Sequence, residues 1–264
     1  MTAVALTIAG SDSGGGAGIQ ADLKTFAAFG VFGASVVTAL TAQNTTGVRA
    51  IANVEESFVG AQFDAVAEDF AIAAAKTGML SRRAVIEIVA GRIRAFRIAP
   101  LVVDPVMVAA GGDVLLEADA ITAMRDLMLP LAAVVTPNIH EAEILTGMRI
   151  ANTAAMRDAA QRITALGARA ALVKGGRLGG PDSIDVLHDG RSTREFRVRR
   201  VPLARAHGAG CTLSAAIAAV LALGAPLDDA VDAAKRYVTR ALEHAPRIGH
   251  GATPLNHLVK PDRA

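Results

Sequence analysis

The stretch His207-Gly208-Ala209-Gly210-Cys211-Thr212 leads into an uncharged, apolar segment that runs from residue 213 to residue 223. Small residues at the start of a helix let backbone N–H groups point towards a ligand, and the positive end of the helix dipole favours an anion. We therefore predict a phosphate site at the three small residues before Cys211. The alternative is a capped loop before a buried alanine-rich helix, in which Cys211 is simply a small apolar side chain.

Cys211 is the only cysteine in the chain, and it falls where a helix begins. The helix dipole favours thiolate over thiol at such a position, so we expect the pKa of Cys211 to be lowered. A base that lies beside an anion site points to phosphoryl transfer.

Length and composition set the broad class. The 264 residues are 52% apolar and 20% charged, and they include one Tyr and no Trp. This is typical of a compact, soluble α/β protein, and the absence of a disordered linker or internal repeat predicts a single domain over residues 1–264. A lone cysteine and the lack of a leader-like segment favour a cytoplasmic location.

Two partner classes are not expected. Residues 25–48 and 208–227 carry no charge, but both contain glycine, and the first also contains Gln43 and Asn44, so neither resembles a membrane-spanning helix. The net charge is only +2, and no aromatic residues alternate with Lys or Arg. We therefore expect neither membrane nor nucleic-acid binding.

Short apolar runs alternate with helical stretches along the chain, which predicts a central, mainly parallel sheet flanked by helices on both faces. The predicted strands are 4–9, 35–42, 71–76, 101–104, 132–136 and 170–174. The predicted helices are 19–29, 57–70, 82–96, 118–128, 139–146, 153–166, 210–222 and 228–245.

An edge hairpin is predicted towards the end of the chain. Strands at 183–188 and 193–201 flank the turn pair Asp189-Gly190. The basic segment 194–205 alternates apolar and Arg side chains, which is typical of an exposed edge strand. The alternative for this segment is a phosphate or subunit contact.

A glycine-rich loop follows the first predicted strand, from Gly10 to Asp22. Its spacing matches neither the Rossmann nor the Walker A pattern, because position 19 is Ile and no Gly-Lys-Ser/Thr follows. A small planar ligand against this loop, with hydrogen bonds from Asp22 and Gln43, fits the residue types. The alternative is a flexible turn in which Asp22 caps or decorates a helix.

Charged side chains end the later strands. Asp104, Glu141 and Lys174 all follow apolar runs, and the ligand of an open α/β sheet lies at the carboxyl ends of its strands. We predict Asp104 as a Mg²⁺ ligand, Glu141 as an indirect or water-mediated one, and Lys174 as a cation that reaches a transferring phosphate. A helix-capping box formed by Asn138 and Glu141 is the structural alternative.

Together these motifs resemble the hydroxymethylpyrimidine/phosphomethylpyrimidine kinases of thiamine biosynthesis, within the ribokinase-like superfamily. The resemblance extends in order over residues 9–212. The matching segments are AGSDSGGGAGIQADLKT (9–25), TALTAQNT (38–45), KTGML (76–80), VDPVM (103–107), TPN followed by EA (136–142), KGG (174–176) and HGAGCT (207–212).

The resemblance implies a three-layer ribokinase-like fold, a homodimer, and ATP-dependent phosphorylation of an aminopyrimidine and of its monophosphate. It also implies roles for individual residues. Cys211 would be the base beside an anion hole that Gly208, Ala209 and Gly210 form. Asn138 and Glu141 would act with Mg²⁺ and phosphate, and Lys174 and Thr212 would approach the ATP phosphates. The aminopyrimidine pocket would be lined by Gly10, Asp22, Gln43, Met79 and Val106.

The chain departs from the family pattern in two places. Ala110-Gly111-Gly112 stands where the family usually has Lys-Ser-Gly, and Ala209 replaces a threonine. A missing Lys and a missing hydroxyl would weaken phosphate contacts, which matters most for the second phosphorylation because the substrate then carries a phosphate of its own.

Other functions remain open at this point. A pyridoxal or pyridoxine kinase would share the fold, the anion hole and the cysteine. A dinucleotide-dependent oxidoreductase is disfavoured by the glycine spacing and by the absence of an acidic residue after the second strand. A non-catalytic ligand-binding module would result if the two departures abolished ATP use.

Overall fold

The computed structural model describes residues 2–107, 117–203 and 205–262. Its strands are β1 (Val4–Asp12), β2 (Phe32–Asn44), β3 (Gly47–Asn53), β4 (Ile72–Thr77), β5 (Leu101–Val103), β6 (Val134–Val135), β7 (Ala171–Lys174), β8 (Asp182–His188), β9 (Thr193–Arg199), β10 (Ala206–His207) and β11 (Thr253–Pro254). Its α-helices are α1 (Gly18–Ala28), α2 (Glu56–Ala67), α3 (Arg83–Ala95), α4 (Ala118–Ala123), α5 (Ile139–Thr146), α6 (Thr153–Ala165), α7 (Ala209–Ala222) and α8 (Leu227–Glu243).

The central sheet has the order β3-β2-β1-β4-β5-β6-β7-β8-β9 in the described residues. Neighbouring strands are parallel from β2 to β7, whereas β3, β8 and β9 are antiparallel to their neighbours. The predicted mainly parallel sheet and its edge hairpin are therefore confirmed. The single-domain assignment for residues 1–264 stays a prediction.

Most element boundaries lie within three residues of those predicted. The predicted helix 118–128 divides into α4 and a π-helical turn, Met124–Met128. Strand β3 was not predicted. It pairs with the far end of β2, from Ala39 opposite Asn53 to Asn44 opposite Gly47, and this pairing extends β2 beyond its predicted end.

Helices cover both faces of the sheet and form two separate cores. Helices α1, α7 and α8 pack on one face around Phe26 and Tyr237. Helices α2 to α6 pack on the other face around Phe63 and Ile86. All four side chains are almost fully buried, and burial of an apolar side chain of this size contributes about 1.5–3 kcal/mol.

The packing of helix α7 explains why its sequence is mostly apolar on every side. It lies against the sheet and is also packed by α1 and α8, so Thr212 to Ala219 are all buried. Helix α8 instead has one apolar face, on which Ala230, Val231, Ala234 and Tyr237 recur at helical spacing. No helix among the described residues combines the length and the hydrophobicity needed to cross a bilayer.

Candidate active site

A cavity of about 610 Å³ lies at the carboxyl edge of the parallel strands. Its lining comes from the first glycine loop, the end of β2, the segment after β5, the turn after β7, strand β9 and helix α8. The anion loop, residues 208–211, lines it as well. A cavity of this volume has room for two small ligands.

The anion loop touches the first glycine loop directly. Gly208 has φ +87° and is the N-cap of α7, and a Cβ added there would overlap the carbonyl oxygen of Gly16. Only glycine combines this left-handed backbone with so close an approach. Ala209, Gly210 and Cys211 form the first turn of α7, where backbone N–H groups lack partners within the helix.

Cys211 is partly exposed and lines the cavity. Burial raises the pKa of its thiol to about 11, with further contributions from the charges of Asp22 and Asp104, while Lys76 and a hydrogen bond from the Gly18 backbone oppose the shift. The direction is opposite to the predicted lowering, because burial outweighs the charge of Lys76 and the Gly18 hydrogen bond. Cys211 is a thiol at neutral pH in the free protein.

A charged cluster lies next to the anion loop. Lys174 Nζ donates to Asp104 Oδ1 at 2.8 Å, and the Ser214 hydroxyl donates to Asp104 Oδ2 at 3.2 Å. A Cβ added at Gly210 would lie 3.2 Å from Lys174 Nζ and 3.7 Å from Asp104 Oδ2. Burial by itself would lower the pKa of Lys174. The negative charges of Asp104 and Glu141 outweigh burial and raise this pKa, so the lysine remains a cation.

Asn138 and Glu141 form the capping box that was the structural alternative for these residues. The Asn138 side chain accepts from the Glu141 backbone at 3.0 Å, and Glu141 Oε2 accepts from the Asn138 backbone at 2.8 Å. Both residues also line the cavity. Burial raises the pKa of Glu141 to about 7, aided by Asp104 and opposed by Lys174.

The remaining predicted substrate residues divide into two groups. Gly10, Gln43, Met79 and Val106 line the cavity. Asp22 does not: its carboxylate is fully buried, forms an ion pair with Lys76 at 2.8 Å and accepts from the Thr7 hydroxyl at 2.6 Å. The structure therefore differs from the prediction that Asp22 hydrogen-bonds the substrate.

Thr212, which was predicted to approach the ATP phosphates, has other partners in the structure. Its hydroxyl contacts the Gly208 carbonyl oxygen and His257 Nε2, each at 2.9 Å, and the residue is fully buried outside the cavity lining. The Thr212 hydroxyl thus links the first turn of α7 to His257, and its role towards ATP stays a prediction. His257 lies in a turn near the end of the chain, and its burial was not predicted.

Among the cavity residues outside the predicted set are Asp12, Lys76 and His207. Asp12 and His207 contact each other at 2.8 Å, and Lys76 holds Asp22. An aspartate before a run of glycines is a signal for a turn closed by its carboxylate, which could have identified Asp12. The departure at Ala110 to Gly112 lies outside the described residues, whereas Ala209 lines the cavity.

The parallel sheet, the two glycine loops and the lysine beside an anion site define a small-molecule kinase of the ribokinase-like class. Residues 12–256 match the family model described as phosphomethylpyrimidine kinase. The chain belongs to that family. This membership sets aside the oxidoreductase and the non-catalytic binding module.

Individual relatives agree with the family model. The chain is 54% identical over 261 residues to a hydroxymethylpyrimidine/phosphomethylpyrimidine kinase of Rhizobium meliloti, with 98% of each chain covered. It is 49% identical to the thiamine biosynthesis bifunctional protein ThiED of Geobacter sulfurreducens, covering 96% of this chain and 52% of that protein. An ADP complex of Bacillus subtilis pyridoxal kinase superposes with a TM-score of 0.90 at 36% identity, covering 97% of this chain and 98% of that one.

Proposed function

We propose that this protein transfers the γ-phosphate of ATP to the hydroxymethyl group of 4-amino-5-hydroxymethyl-2-methylpyrimidine, and then to the monophosphate, in thiamine biosynthesis. The observation that carries the proposal is the single cavity in which the pocket residues Gly10, Gln43 and Met79 meet the anion loop. The kinases that the chain resembles along its whole length carry this activity in their names.

The chain's own residues act chiefly by position and charge. The first-turn amides of α7 and the Lys174 ammonium meet the negative charge of the group in transfer. The pocket residues hold the pyrimidine so that its hydroxyl faces the anion loop, which turns a bimolecular reaction into an oriented one. Cys211 lies beside that loop: as a thiol it orients the substrate hydroxyl, and only as a thiolate does it accept the hydroxyl proton.

The donor set also fits Mg²⁺. Asp104 and Glu141 are buried carboxylates that line the cavity beside Lys174. The described residues contain no group of three or more metal-ligating side chains, and a site of one or two carboxylates completed by substrate phosphates is the usual arrangement for Mg²⁺. When bound there, the ion neutralises negative charge on the phosphates.

The test is product analysis on the purified protein. Incubation with the pyrimidine, ATP and Mg²⁺ should give the monophosphate and then the diphosphate, and mass spectrometry detects both products. Monophosphate alone would restrict the enzyme to the first step, an outcome to which the replacement at Ala209 would contribute. No phosphorylated pyrimidine at all would refute the proposal.

A pyridoxal kinase is the second candidate, and the close superposition on the Bacillus subtilis enzyme favours it. Both substrates are flat rings that carry a hydroxymethyl group, so the same cavity suits either. Gln43 is the pocket group that favours the aminopyrimidine, because its amide both donates and accepts hydrogen bonds. The homodimer and the cytoplasmic location stay predictions.

A further inference from the structure

A buried contact between Asp12 and His207 joins two segments that are far apart in the sequence. His207 Nε2 lies 2.8 Å from Asp12 Oδ2, and the side chains of Asp12 and His207 are 3% and 10% exposed. Asp12 ends β1 within the first glycine loop, just ahead of its run of glycines, and His207 ends β10 directly before the anion loop. Neither residue has a role in the transfer described above.

The Asp12 carboxylate organises the first glycine loop. Its Oδ1 accepts from the backbone N–H of Gly14 at 2.8 Å, and its Oδ2 accepts from those of Gly16 at 3.0 Å and Ala17 at 2.8 Å. Burial would raise the pKa of Asp12, but the His207 contact and the loop amides outweigh it and lower the pKa. The carboxylate is therefore ionised, and it gathers the loop around one negative charge.

His207 is held in place by its backbone and by its ring. It pairs with Pro254 in the short β10–β11 ladder, and its ring lies against Gly16, where an added Cβ would meet Cδ2 at 2.5 Å. Gly208 follows immediately and packs on the Gly16 carbonyl. A shift of the His207 ring relative to Asp12 would therefore shift the anion loop relative to the first glycine loop.

We propose that the Asp12–His207 pair, here called the clasp, sets the distance between the first glycine loop, which holds the pyrimidine, and the anion loop, which holds the phosphate. Both residues are then positioning residues for phosphoryl transfer. The inference rests on the proposed function. With the clasp broken, each loop still binds its own ligand, but the hydroxyl and the γ-phosphate are no longer aligned. Misplacement of about 1 Å lowers rates by up to about 10².

The test compares His207→Leu, His207→Gln and Asp12→Asn with the wild type. Leu removes the contact, whereas Gln keeps an N–H donor at similar reach. We expect His207→Leu to lower kcat by about 10- to 100-fold while both KM values stay within about threefold. We also expect more ADP to be released per pyrimidine phosphorylated, because a misaligned γ-phosphate is open to water. His207→Gln should restore most of kcat and the coupling.

A double-mutant cycle asks whether the two residues act as one unit. Asp12→Asn combined with His207→Leu should lower kcat no further than the worse single variant, because the contact can be lost only once. Arg92→Leu is the control for stability: it breaks the ion pair with Asp64 between α3 and α2, outside the cavity lining. That variant should keep wild-type kinetics even if its Tm falls.

Three outcomes would overturn the clasp: unchanged kcat and coupling in His207→Leu, a rise in KM alone, or strictly additive effects in the cycle. Should His207→Leu fail to fold, His207→Ala, which also lacks the contact, takes its place beside His207→Gln, because Asp12→Asn also weakens the bonds of the carboxylate to the loop amides. If the wild type phosphorylates pyridoxal but not the pyrimidine, the proposed function fails, and the same variants test the clasp with pyridoxal.

Discussion

Burial and charge compete at the Cys211 thiol. The sulfur receives the Gly18 amide and the field of Lys76, both of which favour thiolate, yet burial raises its pKa to about 11. A thiol of this pKa cannot be a preformed nucleophile or base in the free protein. Because a thiol that holds its own proton cannot take up a second one, Cys211 can act as the base only after it has released that proton, and until then it orients the substrate hydroxyl by hydrogen bonding.

We predict that the thiolate absorbance of the wild type at 240 nm rises with a midpoint near pH 11 rather than near the ordinary value of 9.0. Cys211→Ala should lack this step, and its kcat should fall by about 10² to 10⁴ with little change in KM. A midpoint below 8 would show that the helix terminus dominates after all. Unchanged turnover in Cys211→Ala would eliminate the residue from the proton transfer.

The same shift has a consequence for stability. The unfolded chain releases the thiol proton near pH 9, whereas the folded protein keeps it to about 11, so the native state binds more protons in this window. Stability should therefore fall as the pH rises from 9 to 11. Cys211→Ala should show a shallower loss of the free energy of unfolding over that range.

The rule that ligands bind at the carboxyl ends of parallel strands predicted some site residues and missed others. Asp104 follows β5 and Lys174 ends β7, and both strands are parallel to β6 between them. Their carboxyl ends therefore share one edge of the sheet, so the 2.8 Å contact of Lys174 with Asp104 could be anticipated. The Asp22–Lys76 ion pair joins residues 54 positions apart and is invisible in any local pattern. Sequence reasoning therefore assigned the Asp22 carboxylate to the substrate instead.

At the scale of elements, the segment after α8 supports the anion loop. Strand β11 pairs with β10, and His257 Nε2 contacts the Thr212 hydroxyl in the first turn of α7 at 2.9 Å. The Tyr237 hydroxyl of α8 donates to the His257 carbonyl at 3.1 Å. The segment after α8 thus holds the start of α7, whose first turn lines the cavity.

This support should be sensitive to acid. Burial, with a smaller contribution from the charge of Lys24, lowers the pKa of His257 from 6.5 to about 4. The unfolded chain takes up a proton near pH 6.5 while the native histidine stays neutral, so stability is lost as the pH falls from 6.5 to about 4. Urea unfolding of His257→Gln, which has no titrating ring, should show a smaller loss. An equal loss in both proteins would contradict the account.

The elements that sequence analysis missed share one property. Strand β3 is exposed over residues 49–53, and β10 and β11 have two residues each, so none carries a periodic pattern of burial. The elements that were predicted bury an apolar face, as α8 does, are apolar throughout, as β5 is, or are uncharged and mostly apolar, as α7 is. Hydrophobic periodicity identifies elements that pack an apolar face on the core. It does not identify strands that are held only by backbone hydrogen bonds.

At the scale of the whole molecule, the fold brings together two glycine loops that lie almost two hundred residues apart in the chain. The parallel sheet places the first loop, the Asp104 strand end and the Lys174 turn at one edge, and α7 adds its N-terminus across them. The motif order alone indicated this arrangement. The close contact of Gly208 with Gly16 and the clasp beneath it required the three-dimensional structure.

The central claim is that the cavity between these loops directs phosphate to hydroxymethylpyrimidine. The most direct measurement is kcat/KM for the pyrimidine and for pyridoxal, with the same purified protein at saturating ATP and Mg²⁺. We predict that the value for the pyrimidine exceeds that for pyridoxal by at least about tenfold, the discrimination that one pocket contact supplies. An equal or higher value for pyridoxal would contradict the account.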